Sequence, residues 1–97
     1  MKSVFITFGQ SLNRSVLDLL DKLEIRGFTR WEETQGRGSE SGEPHYGTHA
    51  YPSKNSSIIT ITTPEKAQAL LEKLRRLNEQ IGEQGLSAFV WDIEDVI

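Results

Sequence analysis

The chain contains no cysteine, which removes disulfides, thiolate metal sites and thiol nucleophiles in one step. No apolar run approaches the roughly 20 residues that span a bilayer, and nothing at Met1 resembles a charged stretch followed by an apolar export segment. A cytoplasmic protein, not itself membrane-inserted, is the expectation. Positive charge is not in excess either: 11 Lys and Arg stand against 14 Asp and Glu, for a net charge of −3. That balance argues against a phosphate-binding surface and so against nucleic acid as a partner. Histidine is scarce. His45 and His49 are the only two, and neither is close in sequence to Ser11 or Ser15, so no nucleophile–base pair emerges. The carboxylate pairs Glu32-Glu33 and Glu94-Asp95 point to opposite faces if they lie on strands and cannot share a proton. The chain reads as a protein that is not an enzyme.

What is present is enough for one domain spanning residues 1–97. A domain this small buries only about 60–65% of the surface its unfolded chain exposes, so an oligomer interface is expected to supplement the core. Val4-Phe5-Ile6-Thr7-Phe8 is β-branched and aromatic and is stopped by Gly9, the pattern of a strand. Both its faces are largely apolar, which places it centrally in a sheet. Leu12, Val16, Leu19, Leu20 and Leu23 recur at helical spacing, with Ser11 or Asn13 as the N-cap and Gly27 as the C-terminal stop. A second strand is expected from about Phe28 to Glu33. From Gln35 to Ser57 no period of 2 or 3.6 survives among Gly, Ser, Pro, Glu, His and Tyr, and the stretch reads as one long loop. Ile58 to Thr62 is the third strand. Thr63 then caps a helix with Pro64 in its first turn, whose apolar stripe runs through Ala67, Leu70, Leu71, Leu74, Leu77 and Ile81 up to Gly82. Ala88 to Ile93 is the fourth strand, with Phe89, Trp91 and Ile93 on one face and Ala88 and Val90 on the other.

The order β-α-β-β-α-β predicts an α+β, ferredoxin-like fold: a four-stranded antiparallel sheet with two helices on one face. Strands one and four offer apolar residues to both faces, so the face without helices is expected to pack against other subunits. Trp31 and Trp91 read as core or interface aromatics. In the loop, Gly36-Arg37-Gly38-Ser39-Glu40-Ser41-Gly42 is rich enough in glycine to aim several backbone N–H groups at an anion. It lacks a P-loop lysine and does not open a helix. His45 and His49, with Glu43, offer an N/O donor set suited to zinc or copper, although Pro44 and Gly47 argue against the helix on which that histidine spacing works best.

Several landmarks, weak singly, agree in order and spacing with the PII signal-transduction superfamily. Arg26-Gly27-Phe28-Thr29 is similar to the family's Gly-hydrophobic-Thr step. Gly36, Gly38 and Gly42 resemble its G-x-G-x-x-x-G run into the T-loop, and Tyr51-Pro52-Ser53-Lys54 its aromatic-Pro exit. The pattern of Ile81-Gly82, followed by Phe89-Val90-Trp91-Asp92-Ile93-Glu94, is similar to the family's closing strand. The resemblance implies a homotrimer with a T-loop at about 35–57 and a small effector bound between subunits, near the T-loop base and a B-loop at Gly82 to Leu86. Thr29, Gly36, Arg37, Gly38, Glu40, Gly42, Gly82 and Gly85 are the effector-binding positions it suggests. In family members adenine nucleotides fill that cleft and the T-loop docks on transporters and enzymes. Here Glu40 stands at the family's T-loop glutamine and Ser87 near its B-loop lysine, which removes charge-assisted bonds to a triphosphate. The loop histidines then favour zinc or copper over adenine nucleotide as the effector of a trimeric regulator acting on a membrane transporter or efflux protein. Two alternatives share the fold. One is a CutA-like metal-tolerance trimer without partner docking; the other is an acylphosphatase-like hydrolase using Asn13 and Arg14.

Overall fold

A computed structural model describes residues 1–37, 44, 46–47, 54–81 and 85–97. Its elements are β1 (Lys2–Gly9), α1 (Asn13–Lys22), β2 (Thr29–Thr34), β3 (Asn55–Thr62), α2 (Pro64–Ile81) and β4 (Ser87–Asp92). The strands form one antiparallel sheet in the order β2-β3-β1-β4, the ferredoxin-like arrangement expected. β1 is central because both its faces can be covered. Val4, Ile6 and Phe8 are wholly buried and join Val16, Leu20, Ile58, Leu70 and Leu74 in the core. Burying each such side chain contributes about 1.5–3 kcal/mol. Ala88 and Val90 of β4 pack against the same core.

The alternate residues of β1 carry the other face. Phe5 is in register with Ile59 and Phe89, Ser3 with Ile61 and Trp91, and Thr7 with Ser57 and Ser87. Trp31 of β2 lies opposite Ser57 and shares that face. Phe89 is 56% exposed, and Trp31, Trp91 and Ile61 are also exposed. The apolar second face predicted from strand patterning is therefore present and open in the single chain.

The helix termini differ in part from expectation. Neither Ser11 nor Asn13 caps α1: a 3-10 turn, Gln10–Leu12, leads into it, and Leu12 at the N-cap provides no side-chain bond. The tight turn joins β1 to the helix with too little chain for an extended cap residue. Gly27 does not stop α1 either. Glu24 takes the left-handed conformation at φ +57°; its N–H donates to the Asp21 carbonyl and the Ile25 N–H to the Leu20 carbonyl. That is a Schellman closure with glutamate where glycine is usual, held because Ile25 and Leu20 are both buried beneath it. α2 begins as predicted: Thr63 Oγ1 accepts from the Lys66 N–H at 3.2 Å.

β3 starts earlier than its apolar run suggested. Asn55, Ser56 and Ser57, assigned to the loop above, pair with Gly9, Phe8 and Thr7. Buried polar groups need partners. Ser56 Oγ donates to the Glu32 carbonyl at 2.6 Å, and the Ser57 and Thr34 hydroxyls are 3.0 Å apart. At the far end of the sheet Lys2 Nζ lies 2.6 Å from Asp92 Oδ1, beside a bond from the Ile93 N–H to the Met1 carbonyl.

Two outcomes follow from these ends. Replacing Glu24 with glycine removes a left-handed penalty of about 1–2 kcal/mol and restores part of it as unfolded-chain entropy. Urea denaturation of Glu24→Gly is expected to show a net gain of about 0.5–1 kcal/mol. The hydrogen bond and charge of Lys2 hold the Asp92 carboxyl below its ordinary value. A lowered carboxylate stabilises the fold above its unfolded pKa and loses that contribution as pH falls through the folded one. An NMR titration is expected to place the Asp92 midpoint lower in this protein than in Lys2→Met. The stability difference between the two proteins should close over the same acidic interval.

Candidate functional site

The end of the open face where β2 leaves the sheet and β3 enters it forms a cleft of about 440 Å³, within the size range of small-molecule sites. Its floor comes from three strands in register: Phe5 beside Phe89, then Thr7 between Ser57 and Ser87. The rim is Thr34, Gln35, Gly36, Arg37 and Asn55. Aromatic rings thus stand at one end, a row of hydroxyls crosses the middle, and a single guanidinium closes the other. Among the described residues no carboxylate lines the cleft. Arg37 is exposed and makes no ion pair among the described residues. The chemistry suits a small anion with an apolar or aromatic portion.

Local structure explains why the rim sits there. The Gln10 side-chain amide donates to the Glu32 carbonyl at 2.8 Å, and the Gln10 N–H to the Lys54 carbonyl at 2.9 Å. One residue after β1 thereby ties down both strands that flank the long connection. Within the connection, Gln35 Nε2 donates to the Tyr46 carbonyl at 2.8 Å, Tyr46 bridges Lys54, and Lys54 pairs with Glu33 at 3.3 Å. Gly47, at φ +69°, lies so close to the Lys54 stem that a Cβ would come within 2.8 Å of its Cγ. At Gly36 a Cβ would meet Asn55 Nδ2 at 3.3 Å, so the missing side chain lets two rim residues approach.

Of the positions singled out in the sequence, Gly36 and Arg37 line the cleft. Gly85, at φ +70°, lies two residues before the lining residue Ser87. Thr29 is opposite Ile59 on β2 and is not part of the lining. Gly38, Glu40, Gly42, Glu43, His45, His49 and Gly82 lie outside the described residues, and so does the donor set suggested for zinc or copper. Among the described residues no group of three or more His, Asp or Glu is placed to hold a metal. Asn13 and Arg14 are not in the cleft; Asn13 Oδ1 is buried without a hydrogen-bond partner. Sequence reasoning misses Phe5, Thr7, Ser57 and Phe89 as lining residues. Their signal is the alternate register of the first and last strands, which in the sequence reads only as packing surface.

The model of the family described as nitrogen regulatory protein P-II matches residues 1–97. The chain belongs to the P-II family. Its fold is similar to that of CPII, a nitrogen regulatory PII-like protein from Thiomonas intermedia K12. In the structure bound to ADP, AMP and bicarbonate the TM-score is 0.77 at 23% identity, over 95% of this chain and 84% of that one. In the structure bound to ADP and bicarbonate it is 0.76 at 25% identity, over the same shares of each chain, 95% and 84%. A candidate PII-like signaling protein from Thermus thermophilus superposes with a TM-score of 0.67 at 23% identity, covering 95% of this chain and 85% of that one. No curated protein matches the sequence. In this P-II family member no described helix is long and apolar enough to cross a membrane.

The stem of the connection should depend on Gly47. In Gly47→Ala both the positive φ and the Lys54 contact oppose the new methyl, at a cost of about 1 kcal/mol. Amide hydrogen exchange at Tyr46 and Lys54 is expected to quicken by about fivefold, with exchange in β1 unchanged.

Proposed function

We propose that this P-II family member is a non-enzymatic, cytoplasmic, trimeric regulator that binds a small anionic effector in the cleft and transmits its presence through the segment between β2 and β3. That segment, residues 35–54, is then its T-loop, and the chain a single PII-like domain. The observation that carries the reading is the cleft itself: Arg37, a row of hydroxyls and two phenylalanines stand at the root of the connection. The open aromatic face supports the trimer, because Phe89, Trp91, Trp31 and Ile61 are a costly surface to leave in water. A neighbouring chain packed there would also close the open side of the cleft.

Arg37 is the only cation among the described residues of the lining. One guanidinium can bind bicarbonate or a terminal phosphate through two parallel hydrogen bonds, but it leaves most of a triphosphate's charge without a partner. The effector class favoured is therefore an adenine mono- or diphosphate, bicarbonate, or both. CPII, bound to ADP, AMP and bicarbonate, supports that choice over zinc or copper. A membrane transporter is the partner class proposed for the T-loop, and Thr29, Gly38, Glu40, Gly42, Gly82 and Gly85 remain its proposed further effector contacts.

Isothermal titration with ADP, AMP, ATP, bicarbonate, Zn(II) and Cu(II) tests the reading, with light scattering to count chains. Saturable binding of ADP, AMP or bicarbonate to a trimer is expected, weakened at least about tenfold in Arg37→Ala, the scale of a lost charged hydrogen bond. Binding of Zn(II) or Cu(II) alone, abolished in His45→Ala/His49→Ala, would overturn the choice of effector and leave a metal-responsive protein. Pull-down of a membrane protein would then separate a regulator from a CutA-like trimer. Silence from every ligand would overturn the cleft as a sensor.

A further inference from the structure

The face of the sheet opposite the cleft carries a second cavity, of about 320 Å³, between the two helices. α1 contributes Ser15, Asp18, Leu19 and Lys22, and α2 contributes Lys73, Arg76, Leu77 and Gln80. Both sets have the spacing i, i+3, i+4, i+7, so each is one continuous stripe of its helix. The groove they enclose is about 10 Å long, two helical turns. Leu19 and Leu77 are half-buried against the core, and Lys22, Lys73 and Arg76 are exposed above them.

Charge is what distinguishes this groove. It holds three cations and one carboxylate, in a chain whose net charge is −3. The sequence offers the pairs Asp18–Lys22 and Glu72–Arg76 at i, i+4 with the acid first, the spacing and order that favour an ion pair on a helix. Neither pair forms, and among the described residues Lys22, Lys73 and Arg76 have no ionic partner at all. Three cations against one carboxylate, Asp18, therefore overlook one apolar strip and leave the groove with an excess of positive charge.

We propose that this groove is a docking site for an acidic, amphipathic segment of a partner protein, which sets carboxylates against Lys22, Lys73 and Arg76 and an apolar side chain against Leu19 and Leu77. A lone phosphate fits less well. Only Ser15 of the lining lies in the first turn of a helix; the other residues stand where backbone N–H groups are already used in the helix. Cations spread over two helices match carboxylates spaced along a peptide better than the oxygens of a single small anion. The groove is complete in one chain and shares no residue with the cleft, so the inference does not rest on the effector reading.

The test is fluorescence anisotropy with a labelled 14-residue probe, roughly four helical turns, carrying Glu and Leu at helical spacing. A peptide with Lys in place of Glu is the control. Saturable binding of the acidic probe alone is expected, weakening steeply between about 50 and 300 mM salt. Lys22→Glu/Lys73→Glu/Arg76→Glu should weaken it by about thirtyfold or more, and the milder Lys73→Gln/Arg76→Gln by about tenfold. Arg14→Glu, a charge reversal outside the groove, and Arg37→Ala, in the cleft, should each stay within about twofold. Circular dichroism confirms that each variant is folded. Failure of the acidic probe to saturate would overturn the proposal. So would an equal loss in Arg14→Glu, which means bulk charge, or displacement of the probe by millimolar inorganic phosphate at constant ionic strength, which means a simple anion site.

Discussion

The register of β1 between β3 and β4 is the constraint on which the rest of the structure depends. Val4, Ile6 and Phe8 face the helices because Ile58 and Ala88 stand on either side of Ile6. Phe5 and Thr7 then face the other way. A slip of one residue would carry three wholly buried side chains to the open face and a threonine and a phenylalanine into the core. Burial of those three large apolar groups is what makes the slip costly, by several times the stability that a lost surface contact would represent. The cleft inherits its floor from the same register, since Thr7 lies between Ser57 and Ser87 only when Phe5 lies between Ile59 and Phe89.

Much of this is legible in the sequence because the signals are redundant. Thr63-Pro64 marks a helix start twice over, and the cap bond to Lys66 forms as expected. The alternation of Ala88, Phe89, Val90 and Trp91 gives both faces of β4 correctly. Where one residue has to decide alone, tertiary packing overrides it. Gly27 looks like a helix stop, yet burial of Ile25 over Leu20 closes the helix three residues earlier and forces Glu24 into the left-handed region. Asn55, Ser56 and Ser57 look like loop because strand propensity is largely a measure of apolar packing. Side-chain bonds to Glu32 and Thr34 replace that packing, and no pattern within the segment itself predicts those partners.

Of the candidate site the sequence marks two rim residues, Gly36 and Arg37, and leaves the rest of the rim and most of the floor unmarked. Gly36 and Arg37 belong to a glycine-rich run that stands out against any background. The hydroxyls of Thr7, Ser57 and Ser87 come from three separate strands, and only the antiparallel register brings them into one row. Their arrangement also gives a physical account of Ser87, which in the sequence alone stands as the loss of a family lysine. A hydroxyl donates one hydrogen bond without adding charge, so among the described residues of the lining Arg37 is the one cation.

The sheet separates two surfaces of different chemistry. On one side, among the described residues, aromatic side chains and hydroxyls stand with one guanidinium; on the other, three cations and the Asp18 carboxylate overlook a strip of leucine. Connection between them runs through β1, whose Val4, Ile6 and Phe8 are packed under the helices and whose Phe5 and Thr7 form the floor of the cleft. A close-packed core has little room to deform continuously, and β1 is held on both edges by neighbouring strands. A displacement at the floor of the cleft therefore meets a strand held on both edges and packed from beneath by the core. The cleft and the groove share no residue, and the packed layer between them gives no easy path by which filling one would reshape the other.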